Sequence, residues 1–255
     1  MLADGEDTPR LVLDAGTGLR SVTPMLAGRA LHGAILVSHL HWDHVQGIPF
    51  FVAGDRPDAT VDLFMPAQSG LSGRDLLAGM MSPPQFPITP EGLQGQWTFK
   101  ALDTGWHDIE GFRVRAEEVR HKGGRTYGYR VQDASGSLAY LPDHVVSEGV
   151  SSAVLELIHG VDVLVHDAQF VVAERALADA YGHSTIGDAV DLAIQCAVGS
   201  LTLFHHGPGR TDDALDEIAQ AAMVISSSLS VNVARQDVEI PFRLDEQKDS
   251  PHRTR

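Results

Sequence analysis

Three histidines and one aspartate lie within six residues of one another in the stretch SHLHWDHVQG, residues 38–47. The stretch follows the apolar run AILV, which is typical of a buried strand. Because side chains two apart in an extended chain point the same way, His39 and His41 should face one side, and Asp43 and His44 follow as a helix begins. Imidazole and carboxylate groups bind zinc, manganese and iron, so this stretch predicts a metal site.

Further metal ligands are expected where other strands end. His121 follows a predicted strand at 114–119, Asp143 follows one at 138–141, and His205 follows one at 200–204. Sites in layered α/β proteins collect at such strand ends. Taken alone, His121 could be a loop histidine and Asp143 a turn residue beside Pro142. Together with the first cluster, these positions predict one shared site.

The elements that position these residues can be predicted from the hydrophobic pattern. Strands are predicted at 11–14, 34–38, 61–64, 114–119, 127–131, 138–141, 161–166 and 200–204, and helices at 73–81, 170–180, 185–197 and 212–224. A strand-rich first half therefore gives way to alternating strands and helices. This order predicts sheets covered by helices, in an α/β or α+β layered domain.

Composition and charge narrow the class of protein. The 255 residues fit one large domain, 43% of them are hydrophobic, and the mean hydropathy of -0.06 is that of a globular protein in water. No apolar stretch is long enough to span a membrane, so no membrane association is expected. The acidic N-terminus is unlike a secretory signal, and the single Cys196 fits a reducing cytoplasm. The formal net charge of -15 disfavours long nucleic acids as partners.

The first cluster of predicted metal ligands, HLHWDH at 39–44, resembles the HxHxDH signature of the metallo-β-lactamase superfamily. The later stretches VLVHDAQF, YGHSTIGDAVDLA and LFHHGPGRTDDALDEI resemble its branch of tRNase Z-like nucleases and bacterial phosphodiesterases. The resemblance runs from residue 11 to about residue 240. It implies the four-layer αββα sandwich of the metallo-β-lactamase fold, here lacking the first N-terminal strands. That fold would occupy one domain, 1–244, and the polar residues 245–255 are expected to be a disordered tail.

The resemblance also implies a site for two divalent metal ions. One metal would be bound by His39, His41 and His121, the second by Asp43, His44 and His205, and Asp143 would bridge them. Zinc is favoured, and manganese or iron also fits this set of ligands. His205 is preferred to the adjacent His206 because the ligand in the family directly follows the strand.

Asp43, Asp167 and His183 are the residues with expected catalytic roles. In the family mechanism, a hydroxide held between the two metals attacks phosphorus. His183, in the sequence GHST, would then assist the leaving alkoxide, and Asp167 would orient its imidazole. The tRNase Z-like relatives have a Glu–His pair at the matching places. Because Asp167 is shorter than a glutamate, the resemblance does not define how far the Asp167–His183 pair reaches. The alternative for His183 is a neighbour of a helix cap at Ser184.

The leading functional prediction is a cytoplasmic phosphodiesterase that hydrolyses a small phosphodiester. A cyclic phosphodiester is one option for this substrate. A tRNase Z-like RNA endonuclease is the first alternative, against which the acidity and the lack of an evident tRNA-binding arm argue. Hydrolysis of an ester, lactone or thioester is the second, and a non-enzymatic metal-binding domain is the third. Residues 70–96 are expected to cap the active site, to contact a second copy in a homodimer, or to cover one edge of the core.

Overall fold

The computed structural model describes residues 2–3, 8–225 and 229–240, and within these ranges twelve strands form two sheets. The first sheet contains, in spatial order, β1 (Leu2–Ala3), β2 (Pro9–Leu13), β3 (His32–Leu36), β4 (Thr60–Pro66) and β5 (Gln96–Leu102). β2 to β5 are parallel, and β1 pairs with β2 in the antiparallel direction. The ends of β2 and β3 therefore lie side by side.

The second sheet has seven strands. They are β6 (Gly105–Ile109), β7 (Phe112–Val119), β8 (Thr126–Gln132), β9 (Ser137–Leu141), β10 (Val163–Asp167), β11 (Ser200–Phe204) and β12 (Ser230–Val233). Their spatial order is β12-β11-β10-β9-β8-β7-β6. β9 to β12 are parallel and β6 to β9 antiparallel, so β9, β10 and β11 end at the same edge of the sheet.

Helices pack on both sheets, and others lie in the loops between strands. They are α1 (Val22–Met25), α2 (Trp42–Val45), α3 (Gly73–Ala78), α4 (Ser152–Ile158), α5 (Arg175–Tyr181), α6 (Ile186–Gln195) and α7 (Asp212–Ile225). α3 packs against β4 and β5, whereas α4 packs on β7 and β8, and α6 on β10 and β11. Among the described residues, no helix combines the length and the apolar character needed to cross a bilayer.

Alternating side chains of the strands pack into different cores. Val12 and Ile35 lie in the core between the first sheet and its helices, whereas their neighbours Leu11 and Leu36 lie between the two sheets. This period of two is what a strand buried on both faces requires. A third core joins the second sheet to α4, α6 and α7. The four layers predicted from the sequence are therefore confirmed.

Several elements differ from the sequence prediction. β1, β5, β6, β12, α1 and α4 were not predicted, and these four strands are the edge strands of the two sheets. In β5, β6 and β12 polar residues alternate with apolar ones. The helix predicted at 170–180 is a short 3₁₀ turn followed by α5. In the segment 70–96, Leu77, Met81 and Leu93 are buried in the outer core of the first sheet. That segment covers the core, and residues 245–255 lie outside the described part of the chain.

Candidate metal centre

The predicted ligands come together between the ends of strands from both sheets. Two groups each offer ligand atoms within 4.8 Å of one another: His39, His41, His121 and Asp143 form the first, and Asp43, His44 and His205 the second. The Asp143 carboxylate contacts both groups, since its Oδ2 lies 3.2 Å from Nε2 of His39 and its Oδ1 lies 3.2 Å from Nε2 of His205. The position of Asp143 is that of a carboxylate able to bridge two ions.

Asp14, at the end of β2, holds the histidine-rich loop that follows β3. Its Oδ1 accepts a hydrogen bond of 2.6 Å from the amide of Ser38, and its Oδ2 accepts bonds from the Ser38 hydroxyl (2.9 Å), Nδ1 of His44 (2.7 Å) and the Tyr140 hydroxyl (2.8 Å). Because a carboxylate only accepts, His44 donates through Nδ1, and its Nε2 keeps the lone pair that a metal requires. Asp14 therefore orients this imidazole towards the centre.

The remaining imidazoles are oriented by local contacts. Nδ1 of His121 donates to the carbonyl oxygen of Gly182 at 2.7 Å, which leaves Nε2 for a metal. His41 has the opposite orientation, because its Nδ1 lies 3.3 Å from Nε2 of His121. Its Nε2 faces Gly123, where a Cβ atom would come within 2.6 Å of it. A glycine at this position lets the loop pack against His41.

Burial and charge shift the protonation of the site. Burial lowers the pKa of His121 to about 4, so this imidazole is neutral near pH 7. Burial opposes charge on His44, but the neighbouring Asp14 carboxylate outweighs this effect and raises the pKa of His44. Burial likewise opposes ionisation of Asp143, but contacts with His39 and His44 hold the pKa of this carboxyl far below its usual range. The centre therefore carries ionised carboxylates, and a metal ion bound at Nε2 of His44 would take the place of the proton that these carboxylates favour there.

The nitrogen and oxygen atoms of this cluster fit bound metal ions better than they fit hydrogen bonding among themselves. Nε2 of His39, Nε2 of His44 and Oδ1 of Asp143 are buried and have no hydrogen-bond partner within the described residues. Leaving a buried polar atom unpaired costs roughly 1–3 kcal/mol, and here three such atoms lie in one cluster. Divalent cations that coordinate these nitrogen and oxygen atoms would satisfy them, with the first-row metals as the class that this ligand mixture favours.

Asp167 and His183 form a pair beside the ligand groups. Nδ1 of His183 donates to Oδ2 of Asp167 at 2.9 Å, and the same oxygen accepts from the amides of His144 and Ser184, each at 3.2 Å. A ring nitrogen of His183 lies within 4.8 Å of ligand atoms of Asp143 and His205. The cap of α6 is made by Thr185, whose hydroxyl accepts from the amide of Asp188, so the cap expected at Ser184, with His183 as its neighbour, is not formed.

Some residues of this arrangement carry no recognisable signal in the sequence. Tyr140 reaches Asp14 across the space between the sheets, although 126 positions separate the two residues. Gly182 offers its carbonyl oxygen to His121, which is 61 positions away. Ser38 is different, because it directly precedes His39, and a hydroxyl next to a ligand could have been singled out. His206, adjacent to His205, is partly buried and belongs to neither ligand group.

Comparisons with known proteins agree with this arrangement. The model of a beta-lactamase superfamily domain matches residues 9–206. A ribonuclease Z of Bradyrhizobium diazoefficiens is 28% identical over 277 aligned positions, which cover 88% of this chain and 84% of that protein. The resemblance that the sequence motifs indicated is confirmed.

Two solved structures share the fold. The metallo-beta-lactamase fold protein YhfI from Bacillus subtilis has a TM-score of 0.66 at 18% identity, and the match covers 89% of this chain and 85% of that one. A diphosphatase of the PhnP family has a TM-score of 0.65 at 19% identity, with 92% of this chain and 80% of that one covered. At these identities the likeness concerns the fold of the chain.

Proposed function

This chain belongs to the beta-lactamase superfamily, and we propose that it is a metal-dependent phosphodiesterase that acts on small diesters. The observation that carries the proposal is the Asp167–His183 pair, placed beside two groups of metal-ligating atoms that share Asp143. A phosphodiester needs both an activated water and a proton for its leaving alkoxide. The two parts of the site match these two requirements.

The first ligand group would hold one divalent ion and the second group another, with Asp143 between them. Two such ions, when bound, activate water and neutralise charge on the phosphoryl oxygens. Zinc fits the three-histidine group, and manganese or iron fits as well. The unpaired buried atoms of His39, His44 and Asp143 support this assignment.

His183 would supply the leaving-group proton. Its Nδ1 is committed to Asp167, so Nε2 is the nitrogen that can hold a proton for substrate. Oδ1 of Asp167 also accepts from the amide of Gln169 at 3.0 Å, and the carboxylate is fully buried. With four N–H donors in all, the Asp167 carboxylate is fixed in place and in turn fixes the imidazole. As the P–O bond breaks, the departing oxygen would take the proton from Nε2.

The relatives named ribonuclease Z make RNA cleavage the second candidate. The charges near the site favour a smaller substrate. In the loop around His121, Arg120 faces Glu148 at 3.5 Å and Arg125 faces Glu118 at 2.9 Å, so these guanidinium groups are paired with acids. A net charge of -15 adds to the repulsion of a long polyanion. If the protein cleaved a precursor tRNA in preference to small diesters, RNA cleavage would become the first candidate function.

The proposal is tested by hydrolysis of bis(p-nitrophenyl) phosphate with zinc- or manganese-loaded protein. We expect turnover with about two metals bound per chain. Asp143→Ala should lose turnover together with bound metal, because it removes the shared ligand. Asp108→Ala, at an exposed aspartate of β6, is the control and should keep both. Two bound metals without turnover would refute the proposal and favour an ester, lactone or thioester substrate.

A further inference from the structure

A row of aromatic rings leads from the metal centre to the surface. The ring of His205 stacks on that of His183, with centroids 5.3 Å apart and planes at 18°. The next ring is Phe170, whose centroid lies 6.0 Å from that of His183. Phe170 then lies nearly parallel to Tyr181, at 6.4 Å and 14°. The row therefore begins at a ligand of the second group and ends at Tyr181.

The side chain of Tyr181, at the outer end of this row, is largely exposed. Its relative exposure is 64%, and its hydroxyl makes no hydrogen bond within the described part of the chain. Single exposed apolar residues are common, but Tyr181 is linked through the ring of Phe170 to that of His183, a candidate catalytic residue. This placement indicates a surface that meets substrate.

The backbone on both sides of Tyr181 is fastened to the loop that carries His121. The ammonium group of Lys122 donates to the carbonyl oxygen of Ala180, and Nδ1 of His121 donates to that of Gly182 at 2.7 Å. At the other end of α5, Arg175 makes two hydrogen bonds of 2.6 Å to Asp188. The backbone of Tyr181 is therefore held at a fixed place relative to the centre, which favours a pre-formed subsite.

We propose that Phe170 and Tyr181 form a subsite for a flat aromatic ring of the substrate, and that this ring is a nucleobase. The inference rests on the proposed function, because it assigns the group that a diester bound at the centre would carry. Since the row of rings passes His183, the base would belong to the nucleoside on the leaving-group side. Aromatic side chains stack on bases of any sequence, so the subsite would recognise the class of nucleotides without selecting one base.

The test measures binding, so that it does not depend on turnover. Metal-loaded protein is titrated with deoxyadenosine 5′-monophosphate and with 2-deoxyribose 5-phosphate, which lacks the base, and both Kd values are measured by calorimetry. We expect the nucleotide to bind about tenfold more tightly, and Tyr181→Ala to remove this preference. Tyr181→Phe should keep it, because the ring remains. Leu177→Ala, an exposed apolar residue of the same helix, is the matched control and should also keep it.

Equal binding of the two ligands, or binding of neither, overturns the subsite, as does a preference that survives in Tyr181→Ala. The failure of the proposed function has a different signature. In that case the wild-type protein prefers the nucleotide, loses the preference in Tyr181→Ala, and yet hydrolyses no diester. Hydrolysis of bis(p-nitrophenyl) phosphate by a protein that shows no preference for the nucleotide would support the proposed phosphodiesterase activity. It would refute only the subsite.

Discussion

His183 combines two contacts that together define its chemistry. One ring nitrogen donates to the buried Asp167 carboxylate, and the ring lies against His205 and near Asp143. A histidine that is held by a carboxylate and keeps its second nitrogen for substrate is suited to proton transfer. Asp143, in contrast, contacts histidines of both ligand groups and is suited to holding ions. Substitution of His183 and substitution of Asp143 should therefore have different effects on activity and metal binding.

We expect His183→Ala to keep its metals and to lose activity according to the leaving group. Hydrolysis of a diester with an alkoxide leaving group should fall by roughly 10²- to 10⁴-fold, because general acid catalysis is lost. Hydrolysis of bis(p-nitrophenyl) phosphate should fall much less, since p-nitrophenolate departs without a proton. The measurements are kcat for both substrates and metal content. Equal losses for the two substrates, or loss of bound metal, would contradict the role of proton donor.

Helix α5 connects the loop of His121 to the proposed catalytic pair, Asp167 and His183. Gly182 caps the C-terminus of this helix with a φ of 87°, in the left-handed region, and a Cβ there would come 2.9 Å from Cγ and 3.2 Å from the amide nitrogen of Lys122. The carbonyl oxygen of Gly182 accepts from His121, and the next residue is His183. One glycine therefore sets the distance between a proposed metal ligand and the proposed proton donor.

Gly182→Ala should reduce both stability and activity. The left-handed conformation costs a residue with a Cβ roughly 1–2 kcal/mol, and the contact with Lys122 should displace His121. Gly28→Ala is the matched control, because φ is 80° there and no atom lies within 4 Å of the added Cβ. Urea unfolding should show a similar loss of stability in both variants, whereas kcat/KM and metal content should fall only in Gly182→Ala. The same kinetics in both variants would refute the coupling.

A pair of buried histidines, His144 and His166, makes the stability of the whole fold sensitive to pH. His166 donates through Nδ1 to its neighbouring carbonyl oxygen, that of Asp167, at 2.9 Å, so its Nε2 accepts from Nδ1 of His144, also at 2.9 Å. Both rings are buried, and burial lowers the pKa of each below 6.5. The unfolded chain therefore binds more protons than the folded chain below about pH 6.5. The stability that this pair contributes is present above that pH and is lost as the pH falls.

His166→Gln should weaken this dependence on pH. Between pH 7.5 and 5.5 the variant should lose roughly 1 kcal/mol less of its free energy of unfolding than the wild type, because one titrating group is gone. His159→Gln, at an exposed histidine, is the control and should leave the slope unchanged. Unfolding of metal-free protein by urea at several pH values gives the measurement. A slope that is the same in all three proteins would show that His166 is not buried in its neutral form.

The linear sequence was sufficient for the features that depend on nearby residues. The spacing of His39, His41, Asp43 and His44 follows from a strand that turns into a helix, and the apolar periods predicted most of the inner strands. The edge strands β5, β6 and β12 were missed, because partial exposure mixes polar residues into their pattern.

Contacts between distant segments were decided only by the tertiary structure. Which nitrogen each histidine presents depends on partners such as Asp14 and Gly182, which lie 30 and 61 positions from the imidazoles they bind. The row from His183 through Phe170 to Tyr181 likewise depends on how α5 and the residues on either side of it are packed. Side-chain types and their local spacing are properties of the chain, whereas hydrogen-bond direction and ring contact are set by the packing of one sheet and its helices against the other.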